Sequence, residues 1–221
     1  MIGQATPMRT GIRQEIDGLR GLAVLLVVAF HAGVTQLQGG YIGVDIFFVI
    51  SGFVITLALL REAESHGTID LGTFYSRRVR RIIPMASAVI AVTVIAGAML
   101  LPITTIADQV QAAISAALFS ANFYFAIQQS DYFANAIATN PLLHYWSLGV
   151  EEQFYLLWPG CVYLLWRLNK QRFRLALSTL LALLLVASLA YCLLLADASP
   201  NMVFFLLPAR TFEIAAGALL A

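Results

Sequence analysis

Glu15-Ile16-Asp17-Gly18-Leu19-Arg20-Gly21-Leu22-Ala23-Val24-Leu25-Leu26-Val27-Val28-Ala29-Phe30-His31 is the stretch on which the fold turns. Its charges stop at Arg20, and the ten residues that follow are apolar or glycine on every face of a helix. A helix in water keeps a polar face, so one that is hydrophobic all round is buried in protein or in lipid. The apolar run is too long for the core of a signal peptide and lacks a small-residue cleavage site, so it reads as a first membrane span. Arg20 and His31 lie eleven positions apart, about 16 Å along a helix. That spacing puts the guanidinium near one face of the bilayer and the imidazole past its middle.

The rest of the chain repeats the pattern. Of 221 residues, 60% are hydrophobic and 11% charged, against about 25% charged in soluble domains. The net charge of +1 argues against nucleic acid or a polyanion as partner. Lipid is the partner that composition implies. Apolar segments run near 18–37, 41–60, 82–101, 148–166, 174–196 and 203–221, with a weaker one near 109–127. A span needs roughly 20 such residues. The prediction is an all-α, polytopic transmembrane helix bundle with six to seven apolar helices. The last run stops at Ala221 without a polar tail, which predicts that further spans follow. Cys161 and Cys192 lie in apolar runs and read as small hydrophobes, and no metal site is expected.

Arginine placement sets the orientation, because cytoplasmic flanks collect Lys and Arg. Arg9 and Arg13, the cluster Arg77-Arg78-Val79-Arg80-Arg81, and the loop Arg167–Arg174 with Lys170 and Arg172 are all expected inside. The segment 109–127, with Gln109, Gln111, Ser115, Ser120 and Asn122, then cannot cross fully and reads as a re-entrant or interfacial helix. Residues 102–147 become an extracytoplasmic excursion carrying Asp108, Asp131, Asn135 and Asn140.

Ionisable residues inside spans cost free energy and mark function by default. His31 and Asp45 fall at comparable depth, and a carboxylate beside an imidazole fixes its tautomer for general-base work. Glu151 and Glu152 begin another span. One of them could serve merely as a helix-dipole partner. Successive positions point about 100° apart, so Glu151 is assigned to the bundle interior and Glu152 to the interface. Arg210 and Glu213 are spaced to pair on one face, either as a structural ion pair or as part of a site. The arginine cluster fits a headgroup anchor or a phosphate clamp made by Arg78 and Arg81.

Several of these stretches together carry a resemblance. Asp17-Gly-Leu-Arg20 with His31, Gly43-Val-Asp45-Ile-Phe-Phe-Val-Ile-Ser51-Gly52, Arg78-Val-Arg80-Arg81-Ile-Ile-Pro84 and Trp146-Ser147-Leu-Gly-Val-Glu151-Glu152-Gln-Phe-Tyr155 follow one another in order. Ala209-Arg-Thr-Phe-Glu213-Ile-Ala-Ala-Gly217 adds a fifth. The sequence resembles the acyltransferase family 3 of integral membrane proteins, which O-acylate polysaccharides and other cell-envelope glycans. The segment from Asn122 to Ala134, followed by Pro141-Leu-Leu-His144, is similar to the subgroup whose members often continue into an SGNH-type domain.

The resemblance implies a single transmembrane acyltransferase domain over 1–221, with remaining spans absent. It further implies a bacterial cytoplasmic membrane location with the N-terminus inside and no permanently bound cofactor. The implied donor is acyl-CoA, with acetyl-CoA foremost, and the acceptor is a glycan hydroxyl. On this basis His31 is the base or a transient acyl carrier, Asp45 or Glu151 orients it, and Arg20, Arg78 and Arg81 hold the donor. The arginine motif also fits the register Arg77 and Arg80. Asp17, Ser51, Trp146, Ser147, Glu152, Arg210 and Glu213 are expected in support. The rival expectations are a glycan or lipid-carrier flippase, whose path polar side chains would line, and a scaffold without chemistry.

Overall fold

The computed structural model describes residues 10–128 and 140–221. Arg9, Asp131 and Asn135 therefore lie outside the described residues. Every regular element among those described is helical, as the apolar runs predict. The elements are α1 (Thr10–His31), α2 (Ile42–His66), α3 (Leu71–Leu100), α4 (Ile106–Ala117), α5 (Ala121–Gln128), α6 (Tyr145–Leu168), α7 (Phe173–Leu195), α8 (Pro200–Phe205) and α9 (Leu207–Leu219).

Among the described residues, four segments are long and apolar enough to cross a membrane: Ile42–His66, Leu71–Leu100, Phe173–Leu195 and Pro200–Leu219. The expected six to seven is larger because α1 and α6 are long enough but more polar. α1 carries Glu15, Asp17 and Arg20, and α6 carries Glu151, Glu152 and Gln153. Segment 109–127 is divided between α4 and α5, of 12 and 8 residues, each shorter than the roughly 20 that a span requires.

α2 is the hub, packing on α1, α6 and most extensively α9. Close approach of α2 and α9 depends on two glycines. A Cβ built on Gly52 would collide with the Ile214 carbonyl, and one built on Gly217 with the Val49 carbonyl. Small residues at such crossings let backbones meet where lipid offers no hydrophobic drive for association. α9 in turn lies against α7. There the Ser188 hydroxyl donates to the Pro208 carbonyl at 2.6 Å and accepts the Phe212 N–H at 2.8 Å. α8 ends at Phe205 before the extended Leu206, which leaves the Phe204 carbonyl without a helical partner, and the Arg210 Nε supplies that bond at 2.9 Å.

Outside the spans, Asp70 caps α3 by accepting the Thr73 N–H at 3.0 Å. The Thr73 hydroxyl and N–H hold the Asp70 carboxyl below its usual range. A lowered folded-state pKa means that this contribution is present at neutral pH and is lost as pH falls through it.

α3 runs antiparallel to α6 and touches it through long side chains. The Tyr75 hydroxyl donates to the Leu156 carbonyl at 2.7 Å, and Tyr145 donates to the Ala86 carbonyl at 2.8 Å. Beyond that contact α4 folds back along α3. Gln109 donates to the Thr93 carbonyl at 3.0 Å and occupies the space above Gly97, where any side chain would clash with it. α4 and α5 form a hairpin, tied by Tyr124 donating to the Asp108 carbonyl at 3.3 Å. Its tip, Leu118-Phe119-Ser120, reaches the middle of α6. Phe119 turns the chain with φ of 53°, a left-handed conformation uncommon outside glycine.

Candidate active site

The helices bring the polar residues into two buried clusters and an exposed imidazole. The first cluster joins α2, α3 and α6. The Tyr155 hydroxyl lies 2.7 Å from Ser51 Oγ and 3.1 Å from Glu151 Oε2, and Ser51 Oγ lies 3.1 Å from Glu151 Oε1. Two hydroxyl protons serve these three contacts. A chain in which Tyr155 donates to Ser51 and Ser51 to Glu151 uses each once.

The Arg78 guanidinium carbon sits 3.4 Å from the Tyr155 ring centroid, a cation–π stack. On its other side Arg78 Nε is 3.9 Å from Glu152 Oε1, an ion pair too long for a hydrogen bond. Arg20 on α1 and Arg78 both stand close enough to Glu151 to act on its charge. A cavity of about 260 Å³ opens beside Arg78, lined also by Tyr75, Ile82, Phe119, Glu152 and Leu156. The hairpin tip forms one of its walls.

Both glutamates therefore face protein. Glu152, expected at the interface, has a side chain only 16% exposed and faces Arg78. Rotation of α6 turns one carboxylate to α2 and the next to α3, and neither looks into lipid.

The second cluster joins α2 to α9. Arg210 Nη1 is 2.9 Å from Glu213 Oε1 and 3.4 Å from Asp45 Oδ1. The guanidinium carbon lies 4.9 Å from the Phe204 ring and 5.6 Å from that of Trp146. Trp146 is buried against Phe48, Phe204 and Phe205.

His31 ends α1 and is exposed. Its Nδ1 lies 2.8 Å from the Val27 carbonyl. A carbonyl only accepts, so Nδ1 carries the proton and Nε2 is left with a free lone pair. The orienting bond assigned to Asp45 or Glu151 is thus made by Val27 within α1. Asp45 is directed to Arg210 because the α2–α9 crossing brings that cation nearer. His144, just before α6, stands near His31, and the Ser147 hydroxyl donates to the His144 carbonyl at 3.1 Å.

Arg78 and Arg81 do not converge on one group. Arg78 turns to α6, whereas Arg81 is exposed beside Met85, His144 and Tyr145. Arg77, Arg80 and Asp17 are exposed as well. Sequence reading missed Tyr155 as a site residue, although its position four after Glu151 puts both on one helix face. It also missed the reciprocal amide pair of Asn122 and Gln153, 2.8 Å and 3.4 Å. No local signal pairs those two, since they meet only through the hairpin.

Comparison with known proteins agrees with this architecture. A family described as an acyltransferase domain matches residues 13–221. The chain is 36% identical over 210 residues to the peptidoglycan O-acetyltransferase OatA of Listeria monocytogenes, covering 94% of this chain and 33% of that protein. It is 35% identical over 206 residues to the putative peptidoglycan O-acetyltransferase YrhL of Bacillus subtilis, covering 93% and 32%. To the O-acetyltransferase OatA of Staphylococcus aureus it is 42% identical over 144 residues, covering 65% and 24%. The chain spans about a third of the length of the first two relatives. No solved structure matches. With a family match over nearly its whole length and helices long and apolar enough to cross a membrane, the chain belongs to acyltransferase family 3, a family of integral membrane proteins.

Proposed function

We propose that this chain transfers an acetyl group from cytoplasmic acetyl-CoA to a hydroxyl of an extracytoplasmic cell-envelope glycan, with peptidoglycan as the acceptor class that its relatives' names suggest. It does so in the bacterial cytoplasmic membrane with its N-terminus inside. α1 and α6 cross the bilayer as well, with Glu151, Glu152 and Gln153 of α6 turned to protein, and the α4–α5 hairpin enters it without crossing. The observation that carries the proposal is the buried convergence of Arg78, Tyr155, Glu151 and Ser51, with Arg20 nearby. Such a cluster in an otherwise apolar bundle marks function.

Arg20 and Arg78 hold the donor toward the inner side, since guanidinium groups suit phosphates, while Arg81 turns to His144 and stands apart from them. An extended thioester arm covers the about 16 Å of helix rise between Arg20 and His31. At His31, Nε2 takes the proton of the glycan hydroxyl as its oxygen attacks the thioester carbonyl. The C–S bond breaks, the ester forms, and the departing thiolate receives that proton. Asp45, Arg210 and Glu213 hold α2 and α9 in place around this path.

The test is the full chain in membranes, with radiolabelled acetyl-CoA and soluble peptidoglycan oligosaccharides. His31→Ala is expected to abolish ester formation while leaving protein level and donor binding intact. Turnover retained by that variant excludes His31 as the base. Glycan that moves across the membrane without gaining an ester favours a flippase instead.

A further inference from the structure

We propose that Tyr155 is the positioning residue that couples the donor site to Glu151, its ring carrying Arg78 and its hydroxyl setting the carboxylate. The proposal rests on the reading of Arg78 as a donor contact. Tyr155 is 3% exposed and sits at the junction of α2, α3 and α6. Its two functions reside in different atoms. The face of the ring lies 3.4 Å from the Arg78 guanidinium carbon. The hydroxyl, at the ring's edge, is 2.7 Å from Ser51 and 3.1 Å from Glu151.

Each partner is poorly fixed without Tyr155. Arg78 Nε has no hydrogen-bond partner among the described residues, and its ion pair with Glu152 is 3.9 Å long. The flat stack is the contact that gives the guanidinium a plane. A long side chain with many rotamers needs such a contact to present its donors in one direction. Glu151, four residues away on the same helix, has two hydroxyls within reach, Tyr155 at 3.1 Å and Ser51 at 3.1 Å, and takes its bond from Ser51. Ser51 is in turn held by the Tyr155 hydroxyl. Removing that hydroxyl frees both Ser51 and Glu151 to turn, while removing the ring frees Arg78.

The two atoms can be separated by substitution. Tyr155→Phe keeps the face and loses the hydroxyl. In the membrane assay above its kcat is expected to fall about tenfold, about the worth of one hydrogen bond. Its KM for acetyl-CoA stays within about twofold, because Arg78 keeps its stack. Ser51→Ala should match it, and the double variant should lie within about twofold of either single, as residues in one chain couple non-additively. Tyr155→Leu loses both functions, so its kcat falls alike and its donor KM rises about tenfold.

Arg78→Lys provides a second route should the leucine variant fail to insert. It keeps the charge but cannot stack flat, and donor KM should rise without the hydroxyl chain being touched. Tyr155→Phe with wild-type kcat overturns the proposal, and so does a leucine or Arg78→Lys variant with wild-type donor KM. Arg78→Ala with wild-type donor KM instead overturns the underlying donor reading. The kcat loss of Tyr155→Phe would then still report on Glu151 by itself.

Discussion

Arg210 Nη1 lies 3.4 Å from Asp45 Oδ1, joining α9 to α2 across 165 positions of sequence. The same guanidinium serves Glu213 and, through Nε, the Phe204 carbonyl at the end of α8. Arg210 is therefore the centre of its cluster and Asp45 the outermost member, with a side chain 32% exposed against 6% for Glu213. Arg210→Met is expected to destabilise by about 3 kcal/mol, because it strands a buried carboxylate. Asp45→Asn should cost about 1 kcal/mol or less, since a partly exposed partner is screened. Thermal unfolding of the two variants in detergent checks the order, and an equal or greater loss for Asp45→Asn would contradict it.

Of the four clustered arginines Arg78 stacks on Tyr155 and pairs with Glu152, so donor affinity should depend on them unequally. Arg78→Ala is expected to raise the KM for acetyl-CoA about tenfold or more, the loss of a charge-assisted contact. Arg77→Ala and Arg80→Ala, both exposed, should stay within about twofold. Arg81→Ala reports on the cavity beside His144. Steady-state kinetics of the four single variants at matched protein level is the measurement, and a uniform decline would point to a headgroup anchor.

Glycines along the bundle separate into those that make contact and those that do not. Gly52→Ala and Gly217→Ala each drive a methyl into a backbone carbonyl of the facing helix, and backbone cannot swing aside. Each should cost about 1–3 kcal/mol by overpacking. Gly160→Ala on α6 meets nothing within 4 Å and should gain up to about 1 kcal/mol from helix propensity. Melting temperatures compare all three.

Gln153 holds the hairpin tip through the Phe119 carbonyl at 3.1 Å and the Asn122 amide. Gln153→Leu leaves those groups without a donor and should cost about 1–3 kcal/mol. Combined with Asn122→Ala the loss should be well below additive, because both changes break one pair. A double-mutant cycle on thermal stability decides it, and full additivity would mean that the pair does not form.

Much of this protein was legible in the sequence because lipid imposes strict rules. Helices were forced wherever an apolar run had to satisfy its own backbone. The weak segment 109–127 was recognisable as unable to cross, its polar residues marking it, and it is indeed broken between α4 and α5. Arg210 and Glu213 pair at the spacing that a helix dictates. The candidates for the site were visible as charges in a poor solvent for charge.

What the sequence could not determine was partnership between helices. Asp45 and His31 were expected at one depth, yet Gly43 packs on Ala23 and Val27 of α1, which sets Asp45 deeper than His31; Asp45 meets Arg210 and His31 turns to its own Val27. Position along one helix follows from counting its residues, whereas a partner depends on how each helix is rotated and which helix stands beside it. Those two variables are set by packing, by glycines that admit a neighbouring backbone and by the hairpin that wedges against α6. Composition and spacing thus determined that the chain is helical, membrane-embedded and polar at certain levels. Only the tertiary structure decided that Arg78, Tyr155, Ser51 and Glu151 form one group, because side chains from separate helices become neighbours only when the helices pack.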